Sequence, residues 1–217
     1  MKKPKASASI YKKLSSLAYK KHADQINKDI PEGYKLDENL STRETKVFYN
    51  PTTKKAVVAY RGTDLRDPKR ILKDLKSDFN ILTGREKKDK RFQEALAEFQ
   101  GIHNHYKNQG YTIDTTGHSL GGALATHVNR ANQDKVDENL SFSRGSGILE
   151  PFRKRPKNTY DYSHKKDLIS LGARLSKDEE GGQERNFVSG TKTKNMLEAH
   201  GVDRLDTFKN TPQLHSY

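Results

Sequence analysis

Apolar residues recur along this chain in two distinct periods. Ile10, Leu14 and Leu17 are spaced as on one face of a helix, and positions 1–21 hold seven lysines and no acidic residue, so the pattern predicts a basic amphipathic helix over about 8–27. The stripe is narrow, which favours a helix that packs on a neighbouring layer and leaves its lysines in water; a membrane-surface contact is the other reading. Positions 46–49 and 56–60, separated by Asn50-Pro51-Thr52-Thr53, read as a hairpin of strands. A helical stripe follows at Ile71, Leu72, Leu75, Phe79 and Leu82, then a charged, loop-like stretch at 83–91. Phe92, Leu96, Phe99, Ile102 and Tyr106 mark a core-facing helix, 111–116 a strand, and 120–132 a helix rich in good helix formers and free of proline. Strand-like runs return at 139–147 and 158–162, the latter leading to Lys166-Asp167-Leu168-Ile169. Strands alternating with helices predict an α/β domain. Neither a repeat nor a linker divides positions 1–217, so a single domain is expected.

The join between the strand at 111–116 and the helix at 120–132 reads Gly117-His118-Ser119-Leu120-Gly121-Gly122. Gly-x-Ser-x-Gly between a strand and a helix forms a nucleophile elbow, in which a tight, strained turn pushes the serine hydroxyl clear of the backbone. Side chains at 117 or 121 would crowd the packing of helix on strand. A serine ester hydrolase also needs two backbone N–H groups for its oxyanion, one after the nucleophile and one from a loop ending a neighbouring strand. The apolar run at 56–60 stops at Arg61-Gly62-Thr63-Asp64, so Leu120 and Thr63 fit these two places.

With both motifs in hand, the chain resembles the class 3 lipases, a branch of the α/β-hydrolases. Their hallmarks are an apolar strand ending in Arg-Gly-Thr or Arg-Gly-Ser and a later Gly-His-Ser-Leu-Gly-Gly elbow, matched here by VVAYRGT at 57–63 and GHSLGGA at 117–123. The resemblance extends over about 45–205 and implies an α/β-hydrolase fold, a mostly parallel central sheet flanked by helices. It also implies a Ser-Asp-His triad in that chain order, since a serine hydroxyl needs an imidazole to take its proton and a carboxylate to hold the imidazole's tautomer. Asp167 matches the family's acid segment, although Ser170 stands where proline is common; Asp161 and Asp178 are the alternatives. His200 matches the family's late histidine, with His215 in reserve. Of the remaining histidines, His118 belongs to the elbow itself, His164 precedes Asp167, and the His103–His105 pair is two residues apart on a helix and so does not converge on a metal. The resemblance further implies a lid, sought at 66–90, lipid acyl-ester substrates, and no metal or organic cofactor.

Charge and composition bear on partners. Lys and Arg number 41 against 28 Asp and Glu, a net charge of +13 that favours anionic partners, nucleic acid or acidic lipid headgroups. No nucleic-acid signature accompanies that charge, so an anionic phospholipid surface is the expected partner and nucleic acid is not. Hydrophobic residues make up only 31% of the chain and tryptophan is absent, so the core must be lean. Absence of cysteine excludes a disulfide framework and a thiol nucleophile. The basic start is not followed by an apolar signal-peptide stretch, and no run approaches the roughly 20 apolar residues of a spanning helix, so a soluble protein without Sec export is expected. Compact class 3 lipases of this kind resemble those of some bacteria and large DNA viruses, which implies a cytoplasmic or virion-associated place, with peripheral contact to membranes. Two other functions remain open at this point: a lipase-fold binding protein without activity, and a basic nucleic-acid-associated protein.

Overall fold

Among the described residues, seven strands form one sheet in the order β1-β2-β3-β4-β5-β6-β7. The computed structural model describes residues 8–63, 90–145, 156–164 and 185–188. Within them lie α1 (Ala8–Leu17), α2 (Ala23–Asn27), β1 (Lys35–Leu36), β2 (Thr45–Asn50), β3 (Lys55–Tyr60), α3 (Lys90–Lys107), β4 (Thr112–His118), α4 (Leu120–Ala131), β5 (Asn139–Phe142), β6 (Thr159–His164) and β7 (Arg185–Val188). Strands β1 to β3 pair antiparallel, and β3 to β7 pair parallel. The mostly parallel, helix-flanked sheet expected from the sequence is therefore present. The lid sought at 66–90 lies outside the described residues apart from Lys90, which opens α3.

Side chains alternate across the pleat and so sort β3 between two cores. Ala56, Val58 and Tyr60 face α3 and α4, where Phe92, Phe99, Ile102, Leu124 and Val128 complete one apolar cluster. Val57 and Ala59 face the other way, against Tyr11, Leu14 and Leu17 of α1 and Ile26 of α2, together with Phe48, Leu140 and Phe142. The two layers of helix cover both faces, as a parallel sheet requires. Leu14 and Leu17 are at most 1% exposed, and burying each contributes on the order of 1.5–3 kcal/mol. The apolar stripe of α1 is thus spent on the sheet, which is the packing reading of this helix. Where apolar residues run short, polar ones pair instead. Asn129 of α4 donates to Asn158 at 2.8 Å and to Thr159 at 2.9 Å, and Asn139 donates to Thr126 at 3.1 Å, so buried polar pairs accompany the lean apolar composition.

The single helix predicted over 8–27 is instead two. After Leu17 the backbone tightens, Tyr19 N–H bonding to Ser16 O at 3.2 Å and Lys20 N–H to Leu17 O at 3.0 Å, and the chain leaves the helix before α2 begins at Ala23. The break lets Tyr19 turn toward the end of β4 while Lys20 and Lys13 pair with Asp29 just beyond α2. Asp29 is held below the usual carboxylate range, first by its hydrogen bond from Lys20 and then by the charges of Lys13 and Lys20. Among the described residues no helix is long and apolar enough to cross a membrane.

Candidate active site

Strand β4 ends at His118 and α4 begins at Leu120, leaving Ser119 alone in the turn with φ 56° and ψ −123°. This lies outside the left-handed helical well that non-glycine residues ordinarily use at positive φ, a strain of order 1–3 kcal/mol. Neighbouring backbone enforces the conformation. Ser119 N–H donates to Phe142 O at 3.0 Å, and Ser119 O accepts from Ala123 at 3.2 Å and from Gly145 at 3.0 Å. Close approach explains the glycines: a Cβ on Gly117 would lie 2.3 Å from Gly121 C and O, and one on Gly121 would lie 2.1 Å from Tyr60 O. Gly121 thereby seats the helix start directly on the end of β3. The turn at 143–145 backs the elbow from the other side, with Ser143 at φ 44° and the Arg144 backbone packed over Gly122.

Because Tyr60 pairs with Gly117 across the parallel ladder, Arg61, Gly62 and Thr63 emerge beside the elbow. Arg61 N–H donates to Glu44 O at 2.9 Å, and the Arg91 guanidinium bonds Arg61 O while pairing with the Glu44 carboxylate at 3.0 Å. Tyr19 braces the same turn. Its hydroxyl lies 3.0 Å from His118 Nδ1 and 3.4 Å from His118 O, and it occupies the space beside Gly62, where a Cβ would come within 2.2 Å of it. Ser119, Leu120, Thr63 and Tyr19 therefore meet at the carboxyl end of β3 and β4. Ser119 is fully buried, Leu120 nearly so, and Thr63 half-buried. Leu120 N–H belongs to the first turn of α4, whose amides have no acceptor within the helix.

Neither Tyr19 nor the Arg91–Glu44 clamp was apparent in the sequence, since each acts across a separation that leaves no local pattern. Two histidines outside the proposed triad have structural engagements. His118 faces Tyr19, and His127 meets the Phe92 ring edge-on with centroids 4.9 Å apart. Asp161, an alternative acid, is buried on β6 with its two oxygens bonded by Arg144 at 3.1 and 3.0 Å. Asp167, Asp178, His200 and His215 lie outside the described residues.

No family model matches the chain, and no curated protein does. Among solved structures, Lip2 lipase from Yarrowia lipolytica is similar at 15% identity and TM-score 0.49, over 75% of this chain and 73% of that one. Lipase II from Rhizopus niveus is similar at 14% identity and TM-score 0.47, over 75% of this chain and 72% of its own. A structure described as a fungal lipase matches 91% of this chain and 82% of its own, at 12% identity and TM-score 0.47.

Proposed function

We propose that the chain is a serine carboxylic-ester hydrolase that cleaves acyl esters of lipids through an acyl-enzyme. The observation that carries this reading is Ser119 at φ 56° between strand and helix, with glycines packed against it and the end of β3 alongside. Strain of this kind costs stability, and presenting a hydroxyl to a substrate is what an elbow of this shape does. In the proposed reaction, Ser119 Oγ attacks the ester carbonyl while His200 takes its proton and Asp167 holds the imidazole. Charge developing on the carbonyl oxygen is met by the N–H groups of Leu120 and Thr63. Collapse of the tetrahedral intermediate breaks the bond to the alcohol, which leaves with the proton from His200. Water, deprotonated by the same histidine, then attacks the acyl-serine and releases the carboxylic acid. The excess of 41 basic over 28 acidic residues favours anionic phospholipid surfaces as the place of work.

A fluorophosphonate probe tests this reading. Covalent labelling of the intact protein is expected, carried by Ser119 and absent in Ser119→Ala. His200→Ala should suppress it as fully, whereas truncation after Leu214 should leave it; the reverse pattern moves the base to His215. A folded wild-type protein that neither labels nor hydrolyses a short-chain p-nitrophenyl ester would favour the inactive binding protein.

A further inference from the structure

A cavity of about 530 Å³ opens at the edge of the sheet, bounded by α2, β1 and the loop at 38–43. Its wall is apolar at Ile26 and Leu36, and its rim carries Lys21 and Arg43 against the lone carboxylate of Glu38. Lys46 also lines it, although that residue is only 6% exposed. An ammonium has three N–H donors, and that of Lys46 has one hydrogen bond among the described residues, to the Thr42 carbonyl. Buried cations ordinarily have a paired anion. Here burial first, then the neighbouring Arg61 guanidinium, push the Lys46 ammonium below its ordinary pKa, against a smaller opposing pull from Glu44. A bound anion would relieve both effects.

Ladder register places this cavity relative to the candidate active site. Lys46 pairs with Ala59 and Thr45 with Tyr60, the residue on whose carbonyl Gly121 is seated. Strand β2 is two ladder steps from β4, roughly 10 Å, and the Lys46 end of β2 lies at the same end of the sheet as Ser119. From the buried ammonium, the cationic rim and the apolar wall, we infer that this cavity seats the phosphate of an anionic phospholipid headgroup, with Lys46 as anchor; the inference rests on the esterase reading and names its substrate class. An apolar wall beside the cations suits an amphiphile. A nucleic-acid backbone would need a continued cationic track instead.

The test measures cosedimentation of the full chain with vesicles in the Ser119→Ala background, so that lipid is not consumed. Phosphatidylglycerol vesicles are compared with phosphatidylcholine vesicles, and inorganic phosphate is titrated separately by thermal shift. Lys46→Met should weaken phosphatidylglycerol binding by about fivefold or more, the amount one cation near an anionic surface contributes. The rim variant Lys21→Gln with Arg43→Gln should weaken it in the same direction, which keeps the test open if Lys46→Met fails to fold. Lys90→Met removes a cation whose side chain is 89% exposed on α3 and should change binding much less. A loss seen only with vesicles assigns the seat to lipid. Loss of phosphate stabilisation as well assigns it to phosphate in either form. The proposal is overturned if the Lys46 and rim variants match Lys90→Met, or if they weaken binding to a DNA duplex equally. Hydrolysis of a soluble p-nitrophenyl ester by the wild-type protein is read separately: its absence overturns the esterase reading, whereas headgroup binding stands or falls on the vesicles.

Discussion

Strand β4 is built differently at its two ends. Near its amino end Asp114, wholly buried, accepts the Tyr11 hydroxyl, the Lys55 ammonium at 2.7 Å and the Glu138 backbone N–H at 2.9 Å. Its carboxyl end holds instead a strained serine wedged among glycines. At the first end, burial raises the Asp114 pKa against the pull of Lys55 and Tyr11. Burial, and then the Asp114 charge, raise that of Tyr11. Burial alone would lower the Lys55 pKa, but Asp114 outweighs it and leaves it raised. The network ties α1 and β3 to β4 and so fixes the strand; the strand in turn sets the position of the elbow. With the proposed esterase reading, stability and chemistry fall at opposite ends of one element, and each assignment can be broken separately.

The largest effect expected is on activity. Ser119→Ala should lower hydrolysis of a soluble ester by three orders of magnitude or more, while the denaturation free energy changes by less than about 1 kcal/mol. Ser119→Gly, which relieves the positive φ, should be more stable than the wild type by about 1 kcal/mol and equally inactive. An alanine variant that unfolds readily would show that this end also carries stability, and the division would fail.

Gly121→Ala sits where the two roles meet. Its Cβ would fall 2.1 Å from Tyr60 O, a backbone atom that cannot swing aside as a side chain can. Overpacking of this kind costs about 1–3 kcal/mol and should displace α4 from β3, so both urea stability and ester hydrolysis should fall together. Retained activity with lost stability would mean that the elbow tolerates movement of its helix.

Lys55→Met attacks the amino end alone. It leaves the Asp114 carboxylate buried without its cation, and breaking such a pair costs about 3 kcal/mol at neutral pH. The pH dependence has a definite sign. Asp114 already has a raised pKa, and without Lys55 that pKa rises further. The native state then gains from protonation in acid, and this gain is lost as pH rises through the folded value. Urea denaturation should therefore show the deficit shrinking as pH falls toward acid. In the wild type, Lys55 and Tyr11 contribute stability that is complete below about pH 10 and lost as pH rises beyond it. Specific activity of the folded fraction should stay near that of the wild type.

Strands β2, β3, β4 and β5 and the helices at 90–107 and 120–131 were legible because their apolar spacing is local: Val57 and Val58 declare a two-sided strand, and Phe92, Phe99 and Ile102 a one-sided helix. The elbow was legible because its geometry demands glycine at fixed offsets from Ser119. Pairings across long separations were not. Asp114 reads as one polar residue in a strand, and its partners Lys55 and Tyr11 lie 59 and 103 positions away. The break after α1 was hidden for the same reason, since the partner Tyr19 meets outside the helix is His118, 99 positions on. Asp167 and His200 rest on chain order and family resemblance, because a loop aspartate or histidine carries no periodicity to mark it.

Tyr19→Phe is the smallest perturbation and the most direct test of how the two ends communicate. It removes one hydroxyl and keeps the ring, so the oxygen that fills the space beside Gly62 and its bond to His118 Nδ1 at 3.0 Å are lost together. A single such bond is worth about 1 kcal/mol, and stability should fall by no more than that. If Tyr19 acts as a brace, freeing the turn at Gly62 and Thr63 should misplace the proposed oxyanion donor Thr63, whose N–H would work only in the transition state. That appears as a severalfold lower kcat on a soluble ester with KM unchanged. An unaltered kcat would mean that the carboxyl end holds its own geometry. Helix α1 would then serve the amino end of β4 alone, through Tyr11, and the tie between stability and chemistry would run only along the strand.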